Sequence, residues 1–297
     1  MNFELSDEQR MIQQNVERFV EDNYDLNTRV ALSSKSPGFS TEYWQSMAEL
    51  GWLGLPFEEE DGGFGGNQID VLVVMEQFGR GLVLEPYLAS IVMGGGALKR
   101  GGSDALKSEM LPGVIEGTLQ LAFAYAEMQS RFDLDDVMTS ARKEGENFIL
   151  NGQKSMVQNA ETADQIVVTA RTSGGQVGQQ GITLFLIAAD AEGLTRDNFP
   201  TVDGLRASEI TLENVSVGAE RILGKVDQGF NILQSVANDA MLALGAEAVG
   251  AMEVLYKDTV DYTQQREQFD HPLSEFQVLQ HRMVDMFMEY EQCKSLL

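Results

Sequence analysis

The sequence has one cysteine, Cys293, which rules out an internal disulfide and fits a reducing compartment, so a cytoplasmic location is expected. Basic residues are scarce. Against 46 acidic side chains stand 21 lysines and arginines, a formal charge of -25, and no local cluster reverses it. Such a surface repels nucleic acid and anionic membranes and reads as a solvated acidic exterior, so neither is expected as a partner. No apolar run approaches the ~20 residues needed to cross a bilayer, and no membrane insertion is expected. The opening "MNFELSDEQR" carries charges where an export leader needs an apolar core.

Chemistry-bearing motifs are also few. Two histidines, His271 and His281, have no cysteines or paired carboxylates at ligand spacing, which argues against a metal site. There is no Gly-x-Ser-x-Gly, so hydrolase readings have no support. No Gly-x-Gly-x-x-Gly follows a strand, and the β-α-β rhythm of a doubly wound dehydrogenase is missing. The glycine-rich "EEEDGGFGG", Glu58 to Gly66, lacks the Gly-Lys-Ser/Thr ending of a phosphate loop and reads as a link needing positive φ angles.

What remains is a three-part pattern. In the first third, Ser6 and Gln9 have capping-box spacing, and Met11, Ile12, Val16, Phe19 and Val20 recur at helical period to about Asn23. Further helices are expected from Ser40 to about Gly51 and from Ile69 to Leu84. Near Gly117 the texture changes to short segments rich in β-branched and aromatic residues, such as "FILNG", "DQIVVTART" and "GITLFLIAAD", which predict an antiparallel sheet or barrel. From about Gln228 a long helix is expected, and its run of Ala243, Gly245, Ala246, Ala248, Gly250 and Ala251 would admit a second helix closely. After Pro272, the spacing of Phe276, Leu279, Met283, Met286 and Tyr290 predicts another helix. The fold class is therefore α+β multidomain. It comprises an all-α domain over 1-118, a middle antiparallel β-barrel or sandwich over 119-226 and an incomplete α-helical bundle over 227-297.

Between the last two helices lies "REQFDHPLSEFQ". Arg266 offers a fork suited to phosphate, Gln268 and Gln277 offer amides for a heteroaromatic edge, and Phe269 offers a stacking face. The competing reading makes Arg266 a helix cap and Phe269 and Phe276 core side chains, and residue types alone favour it modestly.

The domain order, with "YTQQREQFDHPLSEFQVLQHRMVDM", "GFGG", "ILNGQK" and "GLRASEITLENVSV", resembles the acyl-CoA dehydrogenase family across the whole chain. The resemblance implies FAD as cofactor, α,β-desaturation of an acyl-CoA thioester, and electron transfer to an electron-transfer flavoprotein. It also implies a homo- or hetero-oligomer, dimer or tetramer, in which Arg266, Gln268, Phe269 and Gln277 touch a neighbouring chain's FAD. Further cofactor contacts are implied at Phe123, Tyr125, Met156 and Gln158, and a substrate contact at Phe132. The family's Thr-Glu-Pro-Gly-x-Gly-Ser-Asp run stands here as "AEMQSRFD", Ala126 to Asp133, which keeps Glu127 and Asp133 but loses the threonine, glycines and serine. Met156 replaces a tryptophan and Gln158 a threonine. The family's catalytic glutamate has no counterpart, since its alternative position is Ala240, and Glu247 and Glu253 read as packing or surface carboxylates. The pattern is most similar to the small subunit of pimeloyl-CoA dehydrogenase-type two-component enzymes, either as part of a longer product or as a catalytically incomplete subunit. The alternative is a structural subunit that completes a partner's FAD site, its own pocket closed by Arg131 and Phe132.

Overall fold

A computed structural model describes residues 4-297. Its helices are α1 (Asp7–Asn23), α2 (Leu26–Ser33), α3 (Thr41–Glu49), α4 (Gln68–Gly81), α5 (Gly96–Gly101), α6 (Asp104–Ile115), α7 (Phe230–Gln265) and α8 (Gln277–Leu296), with a π-helical segment over Tyr87–Gly95. The strands are β1 (Leu121–Ala124), β2 (Ser140–Glu144), β3 (Asn147–Gln158), β4 (Gln165–Arg171), β5 (Ile182–Ala188), β6 (Leu194–Pro200), β7 (Arg206–Gly218), β8 (Ile222–Leu223), β9 (Glu267–Gln268) and β10 (His271–Pro272). The chain falls into two compact units, one holding the residues up to Arg29 with Gln68–Val83 and Met241–Leu297, the other holding Val30–Asn67 and Leu84–Ala240.

The first unit is helical. α1 starts at the expected capping box, where the Ser6 hydroxyl accepts from the Gln9 amide and the Gln9 side chain accepts in return from the Ser6 amide. α4 stops at Gly81, short of the expected Leu84, because Leu82 takes a left-handed conformation with φ 51°. The small residues of α7 do admit a close helix. A Cβ on Gly250 would lie 1.9 Å from the Glu76 carbonyl oxygen, and one on Gly79 would lie 1.8 Å from that of Glu247. Arg80 fastens the crossing by pairing with Glu17 at 3.1 Å and Glu253 at 2.8 Å, so Glu253 is a packing carboxylate, as expected. On α8 the stripe Phe276, Leu279, Met283, Met286 is half-buried and Tyr290 fully buried, while Val278, Val284 and Met288 are exposed.

The second unit is built on an eight-stranded sheet of order β6-β7-β3-β2-β4-β5-β8, with β1 added on β4. Its core alternates along the strands, with Phe148 and Leu150 from β3, Ile166 and Val168 from β4, Phe185 and Ile187 from β5, and Ile210 and Leu212 from β7. Two pairings depart from the antiparallel expectation: β1 runs parallel to β4, with Leu121 opposite Gln165 and Ala124 opposite Val168, and β2 meets β4 in parallel at Ser140 and Arg171. A parallel neighbour needs a long connection, and the segment carrying the β2-β3 hairpin supplies it. The π-helical segment packs on β1, where the Ser90 hydroxyl accepts from the buried Leu121 amide at 2.9 Å. In the glycine-rich link of this unit, Gly62 and Gly65 take the expected positive φ values of 88° and 65°.

Candidate cofactor site

β3 carries an irregularity that decides which of its side chains reach solvent. Phe148, Leu150 and Lys154 share the buried face, and strict alternation would place Met156 there too. Instead Lys154 pairs with Ile210 and Val157 with Ser208, so Ser155 and Met156 together oppose the single residue Glu209. This is a β-bulge. Met156 sits in it with φ 54°, and its side chain is 54% exposed while Val157 takes over the buried face. The Ser155 amide donates to the Ala126 carbonyl at 2.9 Å, which ties the bulge to the residue following Tyr125.

Around this bulge several expected contact residues come together in one unit. Phe123 is buried and stacks at a tilt on Tyr125, with ring centroids 5.7 Å apart. Burial pushes the Tyr125 phenol upward. Neither the Tyr125 hydroxyl nor the half-buried Gln158 amide is hydrogen-bonded among the described residues. A half-buried phenol, an amide and a raised thioether make a platform of mixed polarity with hydrogen-bonding capacity to spare, which suits a flat heteroaromatic ring. Phe132, by contrast, is 97% exposed on the loop after β1, so it closes no pocket within this unit. Arg131, beside it, is likewise exposed and takes φ 49°.

Beneath the platform lies a buried ion pair that residue-type reasoning did not single out. Lys154 Nζ donates to Glu127 Oε1 at 2.7 Å and to Thr169 Oγ1 at 2.8 Å, and both charged side chains are essentially inaccessible. Glu127 also accepts from the Met138 amide at 2.7 Å, the Thr139 amide at 3.1 Å and Gln129 at 2.8 Å. Burial would raise the Glu127 carboxyl, but the Lys154 ammonium and these hydrogen bonds outweigh it and hold the group at about 2. Burial lowers the Lys154 ammonium to about 8 against the pull of Glu127. Both groups are thus charged at neutral pH. Arg171 adds a second fastening, donating to the carbonyls of Asp135, Gln176, Gly178 and Gln180 at 2.7 to 2.8 Å. A cavity of about 260 Å³ opens beside the pair, between Met128, Met138, Ser155 and Glu209. The signal for the pair was present in the sequence: a lysine at an inward strand position demands a buried carboxylate.

The other expected contacts lie in the helical unit. β9 and β10 form a two-residue hairpin whose loop, Phe269 and Asp270, has φ values of 56° and 63°, the type I′ signature. This overturns the core reading for Phe269, which is 85% exposed at the tip and packs edge-to-face with Phe276, with centroids 6.3 Å apart. Arg266, Gln268 and Gln277 are exposed too. Arg266 forms no ion pair among the described residues.

Family models for the acyl-CoA dehydrogenase N-terminal, middle and C-terminal domains match residues 6–118, 122–215 and 227–297. The chain belongs to the acyl-CoA dehydrogenase family. A probable acyl-CoA dehydrogenase of Bacillus subtilis, YngJ, is 30% identical over 302 residues, covering 100% of this chain and 79% of its own length. CarC, a subunit of the caffeyl-CoA reductase-Etf complex of Acetobacterium woodii, is 28% identical over 299 residues, covering 99% of this chain and 78% of its own. Among solved structures, the FAD complex of PigA superposes with a TM-score of 0.90 at 28% identity, over 99% of this chain and 78% of the other. No helix of the described residues is long and apolar enough to cross a membrane.

Proposed function

We propose that this acyl-CoA dehydrogenase family chain binds FAD on the platform beside the β3 bulge and acts in α,β-desaturation of an acyl-CoA thioester, with electrons passed to an electron-transfer flavoprotein. The observation that carries the reading is the platform itself: an exposed Met156 held on a bulge, flanked by a Tyr125 hydroxyl and a Gln158 amide whose hydrogen bonds are unspent. The bound flavin supplies the hydride acceptor. Phe123 and Tyr125 give the ring an aromatic floor, Met156 a polarizable contact, and Gln158 a donor and acceptor at its edge. Arg266, Gln268, Phe269 and Gln277 serve the adenosine-pyrophosphate end of a neighbouring chain's FAD, the guanidinium meeting phosphate with charge-assisted hydrogen bonds. Phe132 is proposed as a substrate contact, its exposed ring offering apolar area to the acyl-CoA.

A second reading has this chain completing a partner's FAD site, as in the small subunit of pimeloyl-CoA dehydrogenase-type enzymes. It is favoured by the outward presentation of Arg266 and Phe269 and by Ala240, a buried alanine where relatives with the alternative base carry a glutamate. Anaerobic addition of an acyl-CoA to the FAD-loaded protein separates the two. Loss of the visible flavin band supports desaturation at this chain's own site; a band unchanged across acyl chain lengths removes that reading in favour of the second.

A further inference from the structure

The bulge that raises Met156 is held from the strand opposite by a single carboxylate. Glu209 on β7 is the one residue facing Ser155 and Met156, and a single oxygen of its carboxylate, Oε1, accepts from the Ser155 hydroxyl at 2.7 Å and from the Met156 amide at 3.3 Å. A bulged residue forfeits its place in the ladder, so its amide needs another acceptor or remains unpaired. Met156 also carries a φ of 54°, which costs a non-glycine residue free energy unless its surroundings hold it. Glu209 meets both needs from a half-buried position, while the Ser155 amide anchors the other side of the bulge to the Ala126 carbonyl. The bulge is therefore clasped at two points. One clasp is backbone to backbone, and the other depends on a single side chain.

We infer that Glu209 is a positioning residue for the flavin site, whose carboxylate fixes the bulge and so sets where the Met156 thioether and the Gln158 amide meet the ring. The inference rests on the FAD reading above. Loss of the clasp frees Ser155 and Met156 to slip toward regular pairing, which would turn Met156 to the buried face and misplace Gln158. Two hydrogen bonds to a charged acceptor that orient two ring contacts are worth about a tenfold change in FAD affinity. Because one oxygen accepts both bonds, the carboxamide of Glu209→Gln can reproduce them, whereas Glu209→Ala cannot.

The experiment compares wild type, Glu209→Gln and Glu209→Ala. FAD affinity is read by quenching of flavin fluorescence, and in the flavin-free proteins the Met156 methyl resonance is followed by NMR, with circular dichroism as the check on folding. The expected result is weaker FAD binding, by about tenfold, and a shifted Met156 resonance in Glu209→Ala, both largely restored in Glu209→Gln. Wild-type affinity together with an unmoved Met156 resonance in Glu209→Ala would overturn the positioning role and leave the flavin reading standing. A folded wild type that binds no FAD would overturn both.

Discussion

Replacing Lys154 by methionine removes the cation from the pair under the platform while keeping much of its length. Glu127 would then be a buried carboxylate without its counter-charge, retaining only the Met138 and Thr139 amides and Gln129. Breaking one side of a buried pair costs about 3–5 kcal/mol. Because three donors to Glu127 survive, the lower end, about 3 kcal/mol, is expected. The assay is urea unfolding of Lys154→Met, Glu127→Gln and the double variant. The double variant should cost less than the sum of the singles, since each single strands the other partner. The folded Glu127 carboxyl lies below its unfolded value, so its contribution is fully present above about 4.5 and is lost as pH falls toward about 2. Lys154→Met should lose less stability than wild type across that window. A cost below about 1 kcal/mol with additive singles would refute the reasoning.

Three further outcomes are expected. Arg266→Ala should weaken FAD retention by about 1.5–3 kcal/mol, read by equilibrium dialysis, while the thermal midpoint stays put because the side chain forms no ion pair among the described residues. Gly250→Ala should lower stability by more than about 1 kcal/mol in denaturant unfolding, since the new Cβ would meet the Glu76 carbonyl at 1.9 Å and force α4 and α7 apart. Phe269→Ala should leave the unfolding midpoint unchanged, because the ring is 85% exposed, yet reduce FAD affinity; a fall in stability without a change in affinity would return Phe269 to a packing role.

Much of the fold was legible because its signals are local. The Ser6–Gln9 box, the small-residue run of α7 and the 3-4-3-4 stripe ending at Tyr290 each announce a structure within a few residues of themselves. The parallel pairing of β1 with β4 is a contact across some forty residues that leaves no trace in either segment. The I′ turn at Phe269 and Asp270 escaped because that conformation ordinarily calls for asparagine and glycine, and without them the phenylalanine read as core. At the candidate site, Tyr125, Met156 and Gln158 entered through resemblance, and alternation alone would have buried Met156. Only the register shift against β7 turns it out, and that shift depends on Glu209, a residue some fifty positions away whose type suggests nothing more than a surface strand.

The most direct test of the account is the flavin content of the purified, folded protein after incubation with FAD and removal of the excess, read from the visible absorption spectrum. The account predicts close to one flavin per chain. About one per pair of chains would shift the site to a partner, and none at all in a well-folded protein would contradict the claim that the platform at Tyr125, Met156 and Gln158 holds the cofactor.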